Sequence, residues 1–475
     1  MAFVLYLGVL IITFVRPAEL FPALEGLEIV ALVSVAALGS AMLTVVSGRG
    51  PTLRAPQLYL VILLTLWVAF SVIASQFWLG AALYVFVMLW SSPALVFLLT
   101  TLNLVTLRRL KIAAGLVALL IVFTGAQGVY AYHSDAGLFS RFLYYEGINL
   151  EEAALRMTAE QLEEAVAHFV GTGDVVIRIR GLGFLNDPND LAQALVAALP
   201  LLLCLRRPGR FSFNLVAVWV PVGVALYAIS LTRSRGGLLA LVAVMFLLGR
   251  KRLGRTLSMI LSAGGLAGLL LMGFIGGRQF SLDESSMGRA EAWYEGLNML
   301  RSSPIWGTGY GSFADLNYLV AHNSFVHCFA EVGLVGYFIW LMLIVLTLSH
   351  LATVARGSPD TEGEGGDPTE ETGAGDESEE TVEDEEAESE EEELSRWAEA
   401  SWISLAGFLV GSLFLSRTYG TMLFLLLGLG VAVVDMARAA DWEVERREPI
   451  LRILQVGTIE VASIIFVWLA VKVLL

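Results

Sequence analysis

Residues 324–350, SFVHCFAEVGLVGYFIWLMLIVLTLSH, form an apolar run long enough to cross a bilayer, with one acidic residue, Glu331. About 20 such residues span the hydrocarbon core as a helix. Lipid offers no hydrogen bonds to open backbone, and closed barrels show short alternating segments instead, so the run reads as a membrane helix. Directly before it stand His322 and Asn323, preceded by a stretch that breaks at Pro304 and turns through Gly307, Gly309 and Gly311. Glycines at that density serve a backbone that turns tightly or approaches a ligand closely. The stretch opens as an amphipathic run around Arg289 and Trp293. Residues 287–337 thus gather polar groups that an apolar scaffold does not need, and His322 and Asn323 sit at the mouth of a membrane helix.

The apolar theme extends in both directions. Of 475 residues, 56% are hydrophobic and 16% charged, and the mean hydropathy is +0.71, which excludes a soluble domain of ordinary composition. Further spans fall near 1–15, 28–47, 58–75, 79–103, 111–131, 191–205, 212–232, 236–249, 256–276, 399–416, 420–437 and 454–475. The expected fold is an all-α polytopic membrane protein with roughly 12–13 transmembrane helices. Residues 1–15 lack the basic start and the cleavage site of a signal peptide, and read as the first of these helices. Cys204 and Cys328 lie in apolar helix sequence and suggest neither a disulfide framework nor a metal site.

The formal charge of −15 misleads, because 19 Asp or Glu and no Lys or Arg lie between Asp360 and Glu393, leaving the remainder at +4. That stretch has too little apolar content for a core, and 351–397 reads as a disordered acidic loop. Basic residues in the short loops give the orientation. Arg49 and Arg54, then Arg108, Arg109 and Lys111, then Arg206, Arg207 and Arg210, then Arg250, Lys251, Arg252 and Arg255 occupy alternate turns, which the positive-inside rule places in the cytoplasm. The chain then divides into N-terminal helices 1–131, an external loop 132–190, central helices 191–276, a second external loop 277–323, the helix 324–350, the cytoplasmic loop 351–397 and C-terminal helices 398–475.

In the first external loop, INLEEAALRMTAEQLEEAVAHFV, ending at Val170, has the spacing of one amphipathic surface helix. In VVIRIR, Arg178 and Arg180 alternate with Ile177 and Ile179 and share one face if the segment is extended. Asp187, Pro188 and Asn189 form a turn, with Asp190 placed to cap the next membrane helix.

Three arginine sites approach the membrane from outside: Arg180, Arg233 with Arg235 in LTRSRGG, and Arg289. Positive charge is under-represented on that side, so these arginines either snorkel to lipid headgroups or converge on a phosphorylated lipid. The guanidinium fork matches phosphate oxygens and keeps its charge at any relevant pH. His322 is the candidate base among them, since an imidazole titrates near neutrality. Asn323 and Glu331 stand ready to orient it or a sugar, unless Glu331 is simply a carboxylate hydrogen-bonded within its own bundle. No cofactor or metal ligand set is implied.

SRGGLLAL, the run from Gly288 to Trp293, SPIWGTGYGSF and above all HNSFVHCFAEVGLVGY resemble the O-antigen ligase and polymerase family of bacterial envelope glycosyltransferases. NDPNDLAQAL is similar to the same family, so the resemblance covers about Arg180 to Tyr337, and the flanking helices match only in hydropathy. It implies a GT-C-like, metal-independent, inverting transfer of a glycan from undecaprenyl diphosphate to an acceptor hydroxyl on the periplasmic face of the bacterial inner membrane. By the family pattern Arg235 and Arg289 hold the diphosphate, Arg180 (or Arg178 in its place) assists, and His322 is or supports the general base. The implied partners are the lipid-linked donor, the bilayer and an acceptor that is lipid A core, growing glycan or protein; nucleic acid is not among them. A transporter is the main alternative, but no internal repeat is visible and the unusual residues collect in external loops rather than at mid-membrane.

Overall fold

The computed structural model describes residues 1–24, 29–48, 55–74, 80, 83–84, 86–134, 140–172, 175–271, 284–317, 319–357, 377–444 and 448–475. The described residues of the apolar spans fall almost entirely in helices. Nine helices among the described residues are long and apolar enough to cross a membrane: Ala2–Leu20, Ile29–Val46, Pro56–Ile73, Phe86–Asn103, Leu107–His133, Phe211–Thr232, Ser324–Val354, Thr421–Ala439 and Pro449–Leu474. Two shorter apolar helices, Pro188–Cys204 and Arg235–Gly249, accompany them. The spans near 256–276 and 399–416 lie in Arg255–Leu271 and at the end of Glu377–Ser412. The chain is an all-α polytopic membrane protein, with one small antiparallel sheet among the described residues, in which Leu143–Glu146 pairs with Val176–Ile179.

Burial sorts the helices. Thr421–Ala439 is 78% buried and Pro449–Leu474 only 17%, so the former is at the centre and the latter turns most of its apolar surface outward, as a lipid-facing helix does. Nearly every residue of Pro188–Cys204 is buried as well, which makes it the second central rod.

The two ends of that rod differ in charge. Its Cys204 end opens on a cavity of about 390 Å³ lined by Arg206, Lys251, Arg252, Arg396 and Glu399 among others. Lys251 pairs there with Glu399 at 3.1 Å, and Lys111 with Glu393 at 2.8 Å. Basic residues from three separate short loops therefore gather at one end, as the alternation of charge along the sequence requires. Arg49 and Arg54 lie outside the described residues. At 1.5 Å per residue, the Pro188 end lies about 25 Å away.

Four expectations are corrected. The external amphipathic run is two helices, Leu150–Ala154 and Ala159–Thr172, because Thr158 starts a new one: its N–H donates to Gln161 Oε1 and its hydroxyl accepts from Gln161 N, a capping box. The helix after the NDPND turn begins at Pro188 with Asp187 as its cap, its side chain accepting from Asn189 N at 2.7 Å. Proline suits the first helical position, so Asp190 falls inside the first turn. Arg178 and Arg180 part company, since the strand ends at Ile179: Arg178 is buried, and Arg180 Nε donates to Arg141 O. Finally, the acidic stretch is not loop throughout. Residues 358–376 lie outside the described set, but helix Glu377–Ser412 takes in its end, where Glu393 meets Lys111 and Trp442 Nε1 donates to Glu391.

Candidate functional site

The end of the bundle opposite the basic loops is built around a kink. Within Ser324–Val354, Gly333 has φ 66° and ψ −172°, a conformation that interrupts the helix. The freed carbonyls of Ala330 and Glu331 accept from Thr308 N at 3.1 Å and Gly309 N at 2.9 Å, and Leu334 N donates back to Pro304 O at 2.8 Å. Backbone lies directly on backbone. A Cβ on Gly307 would meet Gly333 N at 2.5 Å, and one on Gly333 would meet Gly307 N at the same distance. Both residues also have positive φ, so glycine is required twice over. The glycine-rich loop and the Glu-x-Gly pattern of the helix are thus one interlocked unit.

Glu331 tightens this unit from the side. It is 1% exposed; Oε1 accepts from Phe313 N at 3.2 Å and Oε2 lies 3.3 Å from His327 Nε2. Asn323 caps the helix, its Oδ1 accepting from Phe325 N and Val326 N. That places His322 immediately before the cap, with φ 46°, a region few L-residues adopt. The helix Glu284–Ser302, which contains Arg289, packs alongside, and Trp293 Nε1 donates to Ala321 O at 2.9 Å.

A second loop, between Ser412 and Thr421, is strapped to the same helix start. Ser324 Oγ donates to Leu415 O at 2.6 Å and accepts from Arg417 N at 2.9 Å; Thr418 Oγ1 donates to Ser324 O, and Trp340 Nε1 to Thr418 O. From this loop Arg417 reaches across to the first turn of Pro188–Cys204 and forks onto the carboxylate of Asp190 through Nε and one terminal nitrogen. Gln193, one turn further, donates to Phe408 O and Ser412 Oγ.

These segments enclose a cavity of about 610 Å³ whose lining includes Arg16, Asp187, Asp190, Tyr310, His322, His327, Glu331, Arg417 and Tyr419. Its floor is aromatic, with the Tyr310 and Tyr419 rings 5.0 Å apart and Trp90 edge-on to both. Both of the segments expected outside the membrane contribute to it, 183–189 from the first and 310–322 from the second. The His322 imidazole is held below its ordinary pKa, first by burial and then by the charge of Arg289, with Arg417 adding to the effect and Asp187 opposing it. Both effects favour the neutral ring, the form whose lone pair can accept a proton.

Of the residues expected at the site, His322 and Glu331 line the cavity. Asn323 is engaged in the cap, and Glu331 faces His327 instead of His322. Arg289 acts electrostatically on His322. Arg233 and Arg235 sit at the turn into Arg235–Gly249 and are not among the lining residues; the start of that helix packs on Phe414 and Ala192, since a Cβ on Gly236 would touch the former and one on Gly237 the latter. Arg180 is bound to Arg141 O, while Arg178 ties the sheet to Thr232 O at 2.7 Å and Asn189 Oδ1 at 2.9 Å. Arg16, Arg417, Asp190 and His327 had not been expected as lining. Arg16 and Arg417 did leave a signal, since both stand in short turns on the side where basic residues are scarce.

No curated protein shows a significant match to the chain. Residues 220–341, from the helix before the LTRSRGG turn to beyond the Gly333 kink, match the family described as O-antigen ligase. The match supports glycan transfer of the O-antigen ligase type in a membrane enzyme. Over this quarter of its length the chain is similar to the O-antigen ligase family.

Proposed function

We propose that the chain transfers a glycan from undecaprenyl diphosphate to an acceptor hydroxyl, with inversion and without a metal, on the periplasmic face of the bacterial inner membrane. The observation that supports this reading is the place of His322, which lies within the segment similar to the O-antigen ligase family and lines a cavity at the end of the bundle opposite the basic loops. In the reaction, the acceptor oxygen forms a bond to the anomeric carbon as its proton passes to His322. The bond from that carbon to the diphosphate oxygen breaks, and its electron pair leaves with the diphosphate. Charge building on that leaving group is neutralised by guanidinium groups, among them Arg289 and Arg235, with Arg180 and Arg233 at the periphery. Glu331 acts on the site by fixing the 305–313 loop, and Asn323 by fixing the helix start next to His322. The polyprenyl tail enters from lipid while the sugar reaches water, which requires a lateral opening beneath the two external segments.

The test is transfer by the purified chain in proteoliposomes, from an undecaprenyl-diphosphate-linked glycan to lipid A core, to a second lipid-linked glycan, or to a Ser/Thr peptide. One acceptor should be glycosylated, with the anomeric configuration inverted and the rate unchanged by EDTA. Flux of a solute with no glycosidic bond formed to any of the three would replace the enzyme reading with a transporter.

A further inference from the structure

The pair formed by Asp190 and Arg417 lies outside the matched segment 220–341, and its two members are not equally buried. Solvent reaches 42% of the Arg417 side chain but 4% of that of Asp190. The fork uses Nε and one terminal nitrogen, so the carboxylate holds a single edge of the guanidinium plane. The opposite edge carries the remaining N–H groups, and both residues line the cavity that holds His322. The backbone of Arg417 is fixed as well, by its own N–H on Ser324 Oγ and by Thr418 Oγ1 on Ser324 O. Two long helices, Pro188–Cys204 and Ser324–Val354, start at this cavity, so the positive ends of both dipoles meet where Arg417 stands. An ion pair serving only to brace two helices has no need of so open an arginine.

We propose that Arg417 binds a phosphate oxygen of the lipid-linked donor through its free edge, and that Asp190 is a positioning residue that aims the guanidinium into the cavity. This rests on the reading of the cavity as the donor site. It adds to the external arginines of the matched segment a cation delivered by the loop between Glu377–Ser412 and Thr421–Ala439. Arginine is suited to the task because its planar fork serves two acids at once, one on each edge, whereas an ammonium is a point charge.

The experiment measures binding of undecaprenyl diphosphate and of undecaprenol to the full chain in nanodiscs, with thermal midpoints recorded alongside. Arg417→Lys, Arg417→Gln, Asp190→Asn and the double variant Asp190→Asn with Arg417→Gln are compared with the parent. The double variant leaves no unpaired charge, which keeps the fold testable. Both single Arg417 variants and the double variant should bind the diphosphate roughly ten- to a hundredfold more weakly, with undecaprenol binding unchanged. Asp190→Asn should lower the midpoint as much as Arg417→Gln does, yet weaken diphosphate binding far less. Equal losses in Asp190→Asn and Arg417→Gln, or parental affinity in a folded double variant, would make the pair a brace and overturn the proposal. A parent that ignores the diphosphate overturns the donor-site reading and this proposal with it. Arg417 variants that bind as the parent does, alongside a His322→Ala chain that binds but does not turn over, overturn this proposal alone.

Discussion

At His322, charge state follows from surroundings that are scattered along the chain. Burial and the charges of Arg289 and Arg417 favour the neutral ring, and Asp187 opposes them. A neutral ring is the form that accepts a proton, so the transfer rate should be full at neutral pH and fall as pH drops through the folded pKa, which lies below the ordinary value of about 6.5. Removing a like charge relieves the pressure on the protonated form. The acid limb of the pH–rate profile should therefore move to higher pH in Arg289→Ala, and an unmoved limb would mean that Arg289 does not act on the base. The sequence made His322 legible because it stands at a membrane helix mouth beside Asn323. It left Arg417 unread as a site residue, since its partner is Asp190, 227 positions away, and no local spacing joins them.

Among the elements, the interlock of 304–309 with 330–334 does the most to shape the site. Glycine density at 307–311 pointed to tight turns, and the turns are there, with positive φ at Gly307, Gly309 and Gly311. The kink at Gly333 was not legible, because hydropathy alone continues smoothly through it and only the backbone partners Thr308, Gly309 and Pro304 interrupt the helix. Gly333→Ala must place a Cβ against Ile305 and Gly307 at a φ of 66°. The expected cost is on the order of 1–3 kcal/mol of backbone strain before any steric term. Limited proteolysis should show early cleavage within 303–313 and transfer should be lost, whereas a variant as resistant as the parent would show that the loop is held elsewhere. The acidic stretch teaches a related lesson. Composition alone gave a solvated loop, but Glu391 and Glu393 find Trp442 and Lys111 once the helices assemble.

Over the whole molecule, hydropathy located the apolar helices, and basic residues of three short loops gather at one end of the bundle. The Pro188–Cys204 helix starts in the His322 cavity and ends in the cavity lined by Arg206, Lys251, Arg252 and Arg396, so the two ends of the bundle differ as the positive-inside rule anticipates. Single cysteines at positions in 140–172 and 303–317 should react with an impermeant thiol reagent added from the periplasm, and cysteines in 351–397 should not; the reverse pattern would invert the orientation. The central claim, that the cavity is an active site with His322 as its base, is tested most directly by His322→Ala in purified chain, with donor-lipid binding and single-turnover transfer measured on the same preparation. Donor affinity close to the parent with turnover reduced by about 10²–10⁴-fold is the predicted result. Donor affinity lost as fully as turnover would make His322 a phosphate ligand and contradict its assignment as the base.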